Sequence, residues 1–567
     1  MSAHLLAAGC TVNSIVGSVT GICTAKGSLT LGINYPALVP FFLLGGGALV
    51  ALGLAAVLPK RQYPWLWPSI TAAVGTGTVV AGIVQWQNVA GLTLSTQTST
   101  TGLLAMGDQL FYDRMGAFFA VLFGVATVLG AWVSHSYLTR ENLDGPEPYI
   151  LMLSCSTGAV LMADAAGLIS LFLGLEILSI ALYTMSAYHR RRTASGEAGL
   201  KYFILGSFSS AIFIYGAALI YGATGSTQYY YILYFLVLTQ AIHNGVLLAG
   251  IGLVIVGLAF KVSAVPFHFW SPDVYQGAPT PFVGYMAAVA KAAGFAGLIR
   301  VLMLAVHTQE ADWRPIIWVL AVASVLVGSV LALVQSDIKR LLAYSSISQA
   351  GYVLIAIQAG TANGVTAVCF YLFTYTFMII GTFAIVGVVQ GRGEARNDLS
   401  SLRGLSARNP WLAGGMLVLL LGQAGIPLTS GFLGKWLVIG AAIQQGQYAL
   451  GLIGMLAAAI AAFAYLRIAL MMYMPAGAAS PAGAAAAEAG DEALLVDGLV
   501  SDLPTMVAAG LTGRDTALAL RPPPTARLRV PAPVSAVVAV CVAFTIFAGV
   551  STPVLSWVHS LTLPWLL

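Results

Sequence analysis

Four ionisable side chains of this chain stand deep inside apolar stretches: Glu176 in LFLGLEILSIALYTM, Lys261 in GLAFKVSAVP, Lys291 in YMAAVAKAAGFAGLI and Lys435 in GFLGKW. Carrying such a group into a bilayer costs at least ~2.5 to 3.5 kcal/mol even on a lenient insertion scale. A chain that does so four times is expected to use the charges, and the chemistry open to a carboxyl and three amines in hydrocarbon is the movement of protons or cations. Glu176 has no basic residue within helical reach in its own stretch, so it needs a proton or a partner from another helix. Lys261 is the candidate partner: the pair is either a proton switch or a fixed structural ion pair. Lys291 and Lys435 lie too deep for their ammonium groups to reach a surface without deforming the bilayer. His268, just after Pro266, is a candidate proton entry because an imidazole titrates near neutral pH; a hydrogen-bonded structural role is the alternative.

These residues must be positioned by membrane helices. Of the 567 residues 59% are hydrophobic and 8% charged, against roughly 25% charged in a soluble domain. Apolar windows of about 20 residues predict helices near 36–58, 66–88, 115–137, 149–166, 167–187, 200–222, 243–268, 280–305, 315–335, 340–359, 362–389, 410–442, 450–474 and 534–557. A lipid-exposed backbone must satisfy its own hydrogen bonds, and long Leu/Ala/Val/Ile runs favour helices over barrel strands. The expected fold class is an all-α polytopic membrane protein with fourteen transmembrane helices. Lys60, Arg61, Arg140, Arg190 to Arg192, Lys339, Arg340, Arg392, Arg396, Arg403 and Arg408 fall in loops that follow odd-numbered helices. The positive-inside rule makes those loops cytoplasmic and both termini extracytoplasmic. The net charge of +5 then reflects topology, and no nucleic-acid partner is expected.

Helices four to eight and nine to thirteen form two sets of five, and the odd offset runs the second set oppositely through the membrane, as in an inverted repeat. The fourth member of each set is interrupted, by Pro266 in KVSAVPFHFW and by Gly425, Pro427 and Gly431 in QAGIPLTSGFLGKW. Proline breaks the helical hydrogen-bond ladder, and carbonyls freed at membrane depth need a polar cavity, which makes matched breaks pointers to an ion path. The expected organisation is an N-terminal part with helices 1–3 (1–148), a first repeat (149–305), a second repeat (306–474), an Ala/Gly/Pro-rich cytoplasmic loop (475–533) and a last helix with the C-terminus (534–567). Lys201 and Arg467 are expected to extend to the cytoplasmic interface, and Asp164, Arg300 and His307 to be interfacial. Tyr344, Ser345, Ser346, Ser348 and Gln349 give helix ten a hydroxyl-rich face that either holds water or bonds neighbouring helices.

Cys10, Cys23, Cys155, Cys369 and Cys541 are widely spaced, without a CxxC pair or clustered histidines, so no metal centre is expected. LAAGC, ending at Cys10, is a weak match to a lipoprotein cleavage site, and a Cys10–Cys23 disulfide on the outer face is the other option.

The runs SLFLGLEILSIALY, EAGLKYFILGSFSSA, GLAFKVSAVPFHFWSPDVYQGAPTP, KRLLAYSSISQAGY and GIPLTSGFLGKW, in that order over roughly residues 115 to 474, resemble the antiporter-like membrane-arm family of respiratory complex I, most of all its subunit N branch. The resemblance implies a proton-translocating subunit of NADH:quinone oxidoreductase, in which Glu176 pairs with Lys261, Lys291 relays charge and Lys435 faces the other half-channel. It implies no cofactor in this chain, with flavin, iron–sulfur clusters, NADH and quinone in partner subunits. The implied partners are other membrane-arm subunits, especially the neighbouring antiporter-like subunit M and small subunits K and J, in the lipid bilayer of the cell inner membrane. Many relatives carry histidine where this chain has Gln349, which cannot titrate. A cation/proton antiporter subunit is the alternative function.

Overall fold

A computed structural model describes residues 35–58, 64–96, 102–106, 108–239, 244–475, 528–551 and 553–560, and the backbone of two short strands nearer the N-terminus. Those strands, β1 (Cys10–Thr11) and β2 (Ile22–Cys23), pair antiparallel with Cys10 opposite Cys23. The side chains of both cysteines, the lipidation motif and nearly all of the loop 475–533 lie outside the described residues.

The chain is an all-α polytopic membrane protein; twelve helices among the described residues are long and apolar enough to cross a membrane. After α1 (Tyr35–Val57) and α2 (Leu66–Thr96), a hairpin of β3 (Gly102–Ala105) and β4 (Leu110–Asp113) leads into α3 (Arg114–Glu141). The first central set comprises α4 (Glu147–Asp164), α5 (Leu168–Ser186), α6 (Thr193–Thr224), the short α7 (Tyr229–Thr239), α8 (Gly245–Lys261), α9 (Trp270–Gly277) and α10 (Thr280–Arg300). The second comprises α11 (Glu310–Leu333), α12 (Ile338–Gln358), α13 (Ala362–Val389), the one-turn α14 (Leu405–Arg408), α15 (Pro410–Ala424), α16 (Ser430–Gln444) and α17 (Tyr448–Tyr473). The chain ends in α18 (Ala532–Val550) and α19 (Pro553–His559).

Without a hydrophobic force between helices in lipid, close approach depends on small residues. A methyl on Gly158 of α4 would meet the Leu178 nitrogen of α5 at 2.5 Å, and one on Gly174 of α5 would meet the Met162 nitrogen of α4 at 2.8 Å. The first two helices of the second set repeat this device: Gly328 of α11 would strike the Ser348 nitrogen at 2.5 Å and Gly351 of α12 the Val325 nitrogen at 2.7 Å. At the centre lies α10, buried along its whole length against α3, α4, α5, α8, α12 and α13.

Both expected breaks are present, the first earlier than the sequence suggests. The helix expected over 243–268 ends at Lys261, and the chain turns through Ser263 in the left-handed region (φ 61°) before α9. Ser324 of α11 accepts from the freed Val265 amide at 2.9 Å, so a neighbouring helix satisfies what the break exposes. The second break follows Ala424, where Gly425 adopts φ 85° and its amide returns to Leu421 O. Two half-helices meet there so closely that a Gly431 Cβ would stand 1.8 Å from Gly422 O. Only glycine fits such a backbone approach.

At one end of the bundle, Glu394 is buried in the loop after α13. It pairs with Lys339 of α12 at 2.8 Å and Arg192 before α6 at 2.7 Å, and accepts from the Thr280 amide of α10 at 2.8 Å. Next to it Glu141 of α3 accepts from the Gly393 amide at 3.0 Å, with His189 Nε2 at 3.7 Å. Burial pushes the Glu394 carboxyl up, but Lys339 and Arg192 outweigh it and hold it at about 2.

Glu394→Gln strands the buried Lys339 and the half-buried Arg192 and is expected to cost about 3 to 5 kcal/mol, measured as a lower thermal midpoint of the purified assembly. Because the folded carboxyl titrates below its ordinary value, this stabilisation is complete above about pH 4.3 and is lost as pH falls toward about 2. Gly431→Ala is expected to remove the chain from assembled membranes, read by its abundance in a native gel.

Candidate functional site

The three deep lysines are buried, and none of them forms an ion pair with a carboxylate of the described residues. Lys261, at the last position of α8, donates to Ser179 Oγ of α5 at 2.8 Å. Its Nζ also lies 5.5 Å from the Tyr202 ring centre and 5.9 Å from that of Tyr183. Lys291, mid-way along α10, donates to Ser346 O of α12. Lys435 of α16 donates to Gln423 O at 3.0 Å and Ala424 O at 2.8 Å, the last carbonyls of α15, and its Nζ lies 4.9 Å from the Tyr352 ring centre. The last carbonyls of a helix carry the negative end of its dipole. The break between α15 and α16 therefore creates the acceptor for its own lysine, across twelve residues of chain.

The Glu176–Lys261 contact expected from the sequence is not formed. Ser179 lies one turn beyond Glu176 on the same face of α5, and its hydroxyl takes the Lys261 ammonium. Glu176 is half-buried, and its Oε1 is sealed from solvent without a hydrogen-bond partner. On either side of it, Leu173 and Ile177 face outward, so the carboxyl sits at the boundary between the bundle and its surroundings.

Lys261 and Lys291 are adjacent through Gly294. A methyl there would meet the Lys261 Cβ and Cγ at 3.5 Å, so the Lys261 stem crosses α10 one turn from Lys291. From Lys291 a polar string continues along α12. Tyr375 donates to Ser346 Oγ at 2.9 Å. The neighbouring Ser345 is hydrogen-bonded to Tyr465 Oη, which accepts from Gln349 Nε2 at 2.8 Å. Gln349 Nε2 also donates to Gln423 O at 3.0 Å, the oxygen that holds Lys435, and Gln349 Oε1 accepts from Tyr371. Gln349 thus joins the Lys291 and Lys435 environments as an amide bridge, and the serine and tyrosine hydroxyls bond between helices.

His268 is buried in the break before α9 with its Nδ1 unpartnered. Beside α9, a cleft of about 220 Å³ is lined by Arg192, Glu197, Lys201, Asp273, Gln276 and Asn397 among others. Lys201 extends to this surface, 43% exposed, and pairs with Glu197 at 2.7 Å and Asp273 at 3.1 Å; Arg340 holds the other Asp273 oxygen at 2.7 Å. Burial raises the Asp273 carboxyl, but Arg340 and Lys201 together bring it below its ordinary value. Arg467 donates to Leu333 O at 2.7 Å and so closes the end of α11.

Arg300 departs from expectation. It is fully buried, not interfacial, and grips both Asp113 oxygens at 2.5 and 2.8 Å; Asp164 is buried beside it. The sequence also did not single out Ser179, Tyr371, Tyr375, Tyr465 or Gln423. Their one signal is a hydroxyl or amide in an otherwise apolar helix, which many packed helices share. Among the described residues no group of three His, Cys, Asp or Glu side chains converges to hold a metal.

The family model for the transmembrane region of NADH:quinone oxidoreductase and Mrp antiporters matches residues 165–461. NADH-quinone oxidoreductase subunit N of Trichlorobacter lovleyi is 39% identical over 446 residues, covering 78% of this chain and 88% of that protein. The subunit N of Rhodospirillum rubrum is 41% identical over 394 residues, 70% of this chain and 80% of the relative. A chain in the structure of respiratory complex I from Thermus thermophilus with bound aureothin superposes with a TM-score of 0.67 at 29% identity, covering 91% of this chain and 98% of that one. A chain of the Mrp complex from Dietzia sp. has a TM-score of 0.75 at 19% identity, covering 93% and 97%, and shares the fold. With its broken helices, its buried lysines and these relatives, the chain belongs to the NADH-quinone oxidoreductase subunit N family of antiporter-like membrane proteins.

Proposed function

We propose that this chain translocates protons, with no redox chemistry of its own, as a membrane-arm subunit of NADH:quinone oxidoreductase. The observation that supports this most directly is that three buried ammonium groups rest on neutral oxygens while a buried Glu176 oxygen stays unpartnered. A permanent ion pair would lock its charges, because removing one partner strands the other in a low dielectric. Charges held by hydroxyls and carbonyls can instead be rebalanced by a neighbour. Lys261 resting on Ser179, one turn from Glu176, is the open position of a switch. Movement of the ammonium onto Glu176 would favour the charged form of both groups and change the field at Lys291, one turn along α10 from the Lys261 stem. Lys291 then relays charge along the Ser345–Tyr465–Gln349 string to Lys435, and His268, buried in the break before α9, serves as proton entry.

The driving energy would come from partners that hold flavin, iron–sulfur clusters, NADH and quinone, through the neighbouring subunit M and the small subunits K and J. The chain would lie in the cell inner membrane with both termini extracytoplasmic. The deciding experiment purifies the tagged chain in mild detergent and asks whether inhibitor-sensitive NADH:quinone activity, with flavin and iron–sulfur spectra, travels with it. An assembly without those centres that exchanges protons for sodium would instead make this an antiporter subunit.

In membrane vesicles bearing the assembled complex, Glu176→Gln is expected to cut proton pumping by about tenfold or more, in the range of a lost acid–base group, while Lys201→Ala, at a 43% exposed side chain, changes it little. Equal losses from the two would refute the assignment. Tyr465→Phe removes the hydroxyl between Ser345 and Gln349 and is expected to slow pumping while the assembly stays intact. Unchanged rates would remove that string from the relay.

A further inference from the structure

The end of α10 beyond Lys291 carries a second buried charge cluster that the Glu176–Lys435 relay does not use. Two carboxylates surround one point: a Cβ built on Gly116 would lie 2.1 Å from Asp164 Oδ1 and 3.3 Å from Asp113 Oδ1. One cation serves both. Arg300 gives its two terminal nitrogens to Asp113 and its Nε to Ala163 O at 2.9 Å, and both Arg300 and Asp113 lie within electrostatic reach of Asp164. Asp113 is committed further, since it caps α3 by accepting from the Gly116 amide at 2.8 Å. Two carboxylates crowded together and sharing one guanidinium cannot both stay ionised at low cost, so one of them is a natural proton holder.

Two independent features mark the same spot. Tyr229, fully buried at the start of α7, has a hydroxyl without a hydrogen-bond partner and stands within electrostatic reach of Arg300. Directly after Arg300 the helix widens into a π-turn at Val301–Ala305, against which α7 packs; such turns recur at functional sites. Cys369 of α13 also stands within electrostatic reach of Arg300 and Asp113. Arg300 follows Lys291 by nine residues, about 14 Å along the helix axis.

We infer that Asp164, positioned by Asp113 and Arg300 and served by Tyr229, is a proton-release station at the far end of α10 from the Glu394 cluster. A proton arriving from the Lys291 side joins the Asp164 carboxylate and removes the excess negative charge of the cluster. Its departure to water at that membrane face restores two carboxylates against one guanidinium, ready for the next proton. Asp113 and Arg300 act as positioning residues.

The station rests on the proton-translocating function proposed above, and the test separates the two. Asp164→Asn, Asp164→Glu and Glu176→Gln are compared in vesicles of the assembled complex, with NADH oxidation by a soluble acceptor as a control for assembly. The expected result is that Asp164→Asn assembles, loses about fivefold or more of its proton pumping, and regains most of it as Asp164→Glu. Asp164→Asn pumping at the normal rate and pH profile, alongside a defective Glu176→Gln, overturns the station alone; a normal Glu176→Gln overturns the proposed function itself. If Asp164→Asn does not assemble, Tyr229→Phe decides, because its hydroxyl has no hydrogen bond to lose. Slower pumping upholds the station and unchanged pumping overturns it.

Discussion

An ammonium group in a hydrocarbon-like interior must find oxygen atoms, and the architecture around this chain's three deep lysines follows from that need. Leaving such a group unsolvated costs several kcal/mol. Each lysine solves the problem differently. Lys261 uses a serine hydroxyl from α5, Lys291 a carbonyl of α12, and Lys435 the two carbonyls released where α15 stops. The third solution explains the break: an unbroken helix would spend those carbonyls on its own ladder. Gly425 in the left-handed region turns the chain away so that they stay open to Nζ.

Most of the frame was legible in the sequence. Long apolar runs located a helix in every predicted window, because hydropathy at membrane depth is a strong constraint, but the ends at Thr96, Thr193, Lys261 and Val550 differ by six to eight residues from those expected. Pro266 and the Gly425–Gly431 stretch identified both interruptions. The short helices α7, α9 and α14 were not foreseen, since four to eleven residues without a membrane-length run leave no comparable signal and form only through packing against neighbours. α9 in particular exists because the chain leaves α8 five residues before Pro266 and needs a way back to α10.

The deep charges were equally legible, their partners less so. Depth alone singles out Glu176, Lys261, Lys291 and Lys435, whereas which oxygen each meets depends on helix rotation and on glycines such as Gly294 that let a lysine stem pass. Pairing Glu176 with Lys261 was a sound expectation from charge, yet a serine one turn away competes for the same ammonium. Arg300 misleads for a different reason: its position near a helix end suggests an interface, but α10 is enclosed on all sides and Asp113 arrives from the hairpin that precedes α3.

The Glu394 cluster ties together segments from both central sets: the start of α10 and the approach to α6 from the first, α12 and the loop after α13 from the second, with Glu141 of α3 alongside. Transporters that expose a site alternately to each side rock one repeat against the other about such a boundary. Here that boundary is riveted by buried ions whose separation would leave several charges bare at once. The two halves therefore behave as one stator. Whatever passes through them must be moved by side-chain swings, water and changes of field inside a nearly fixed frame.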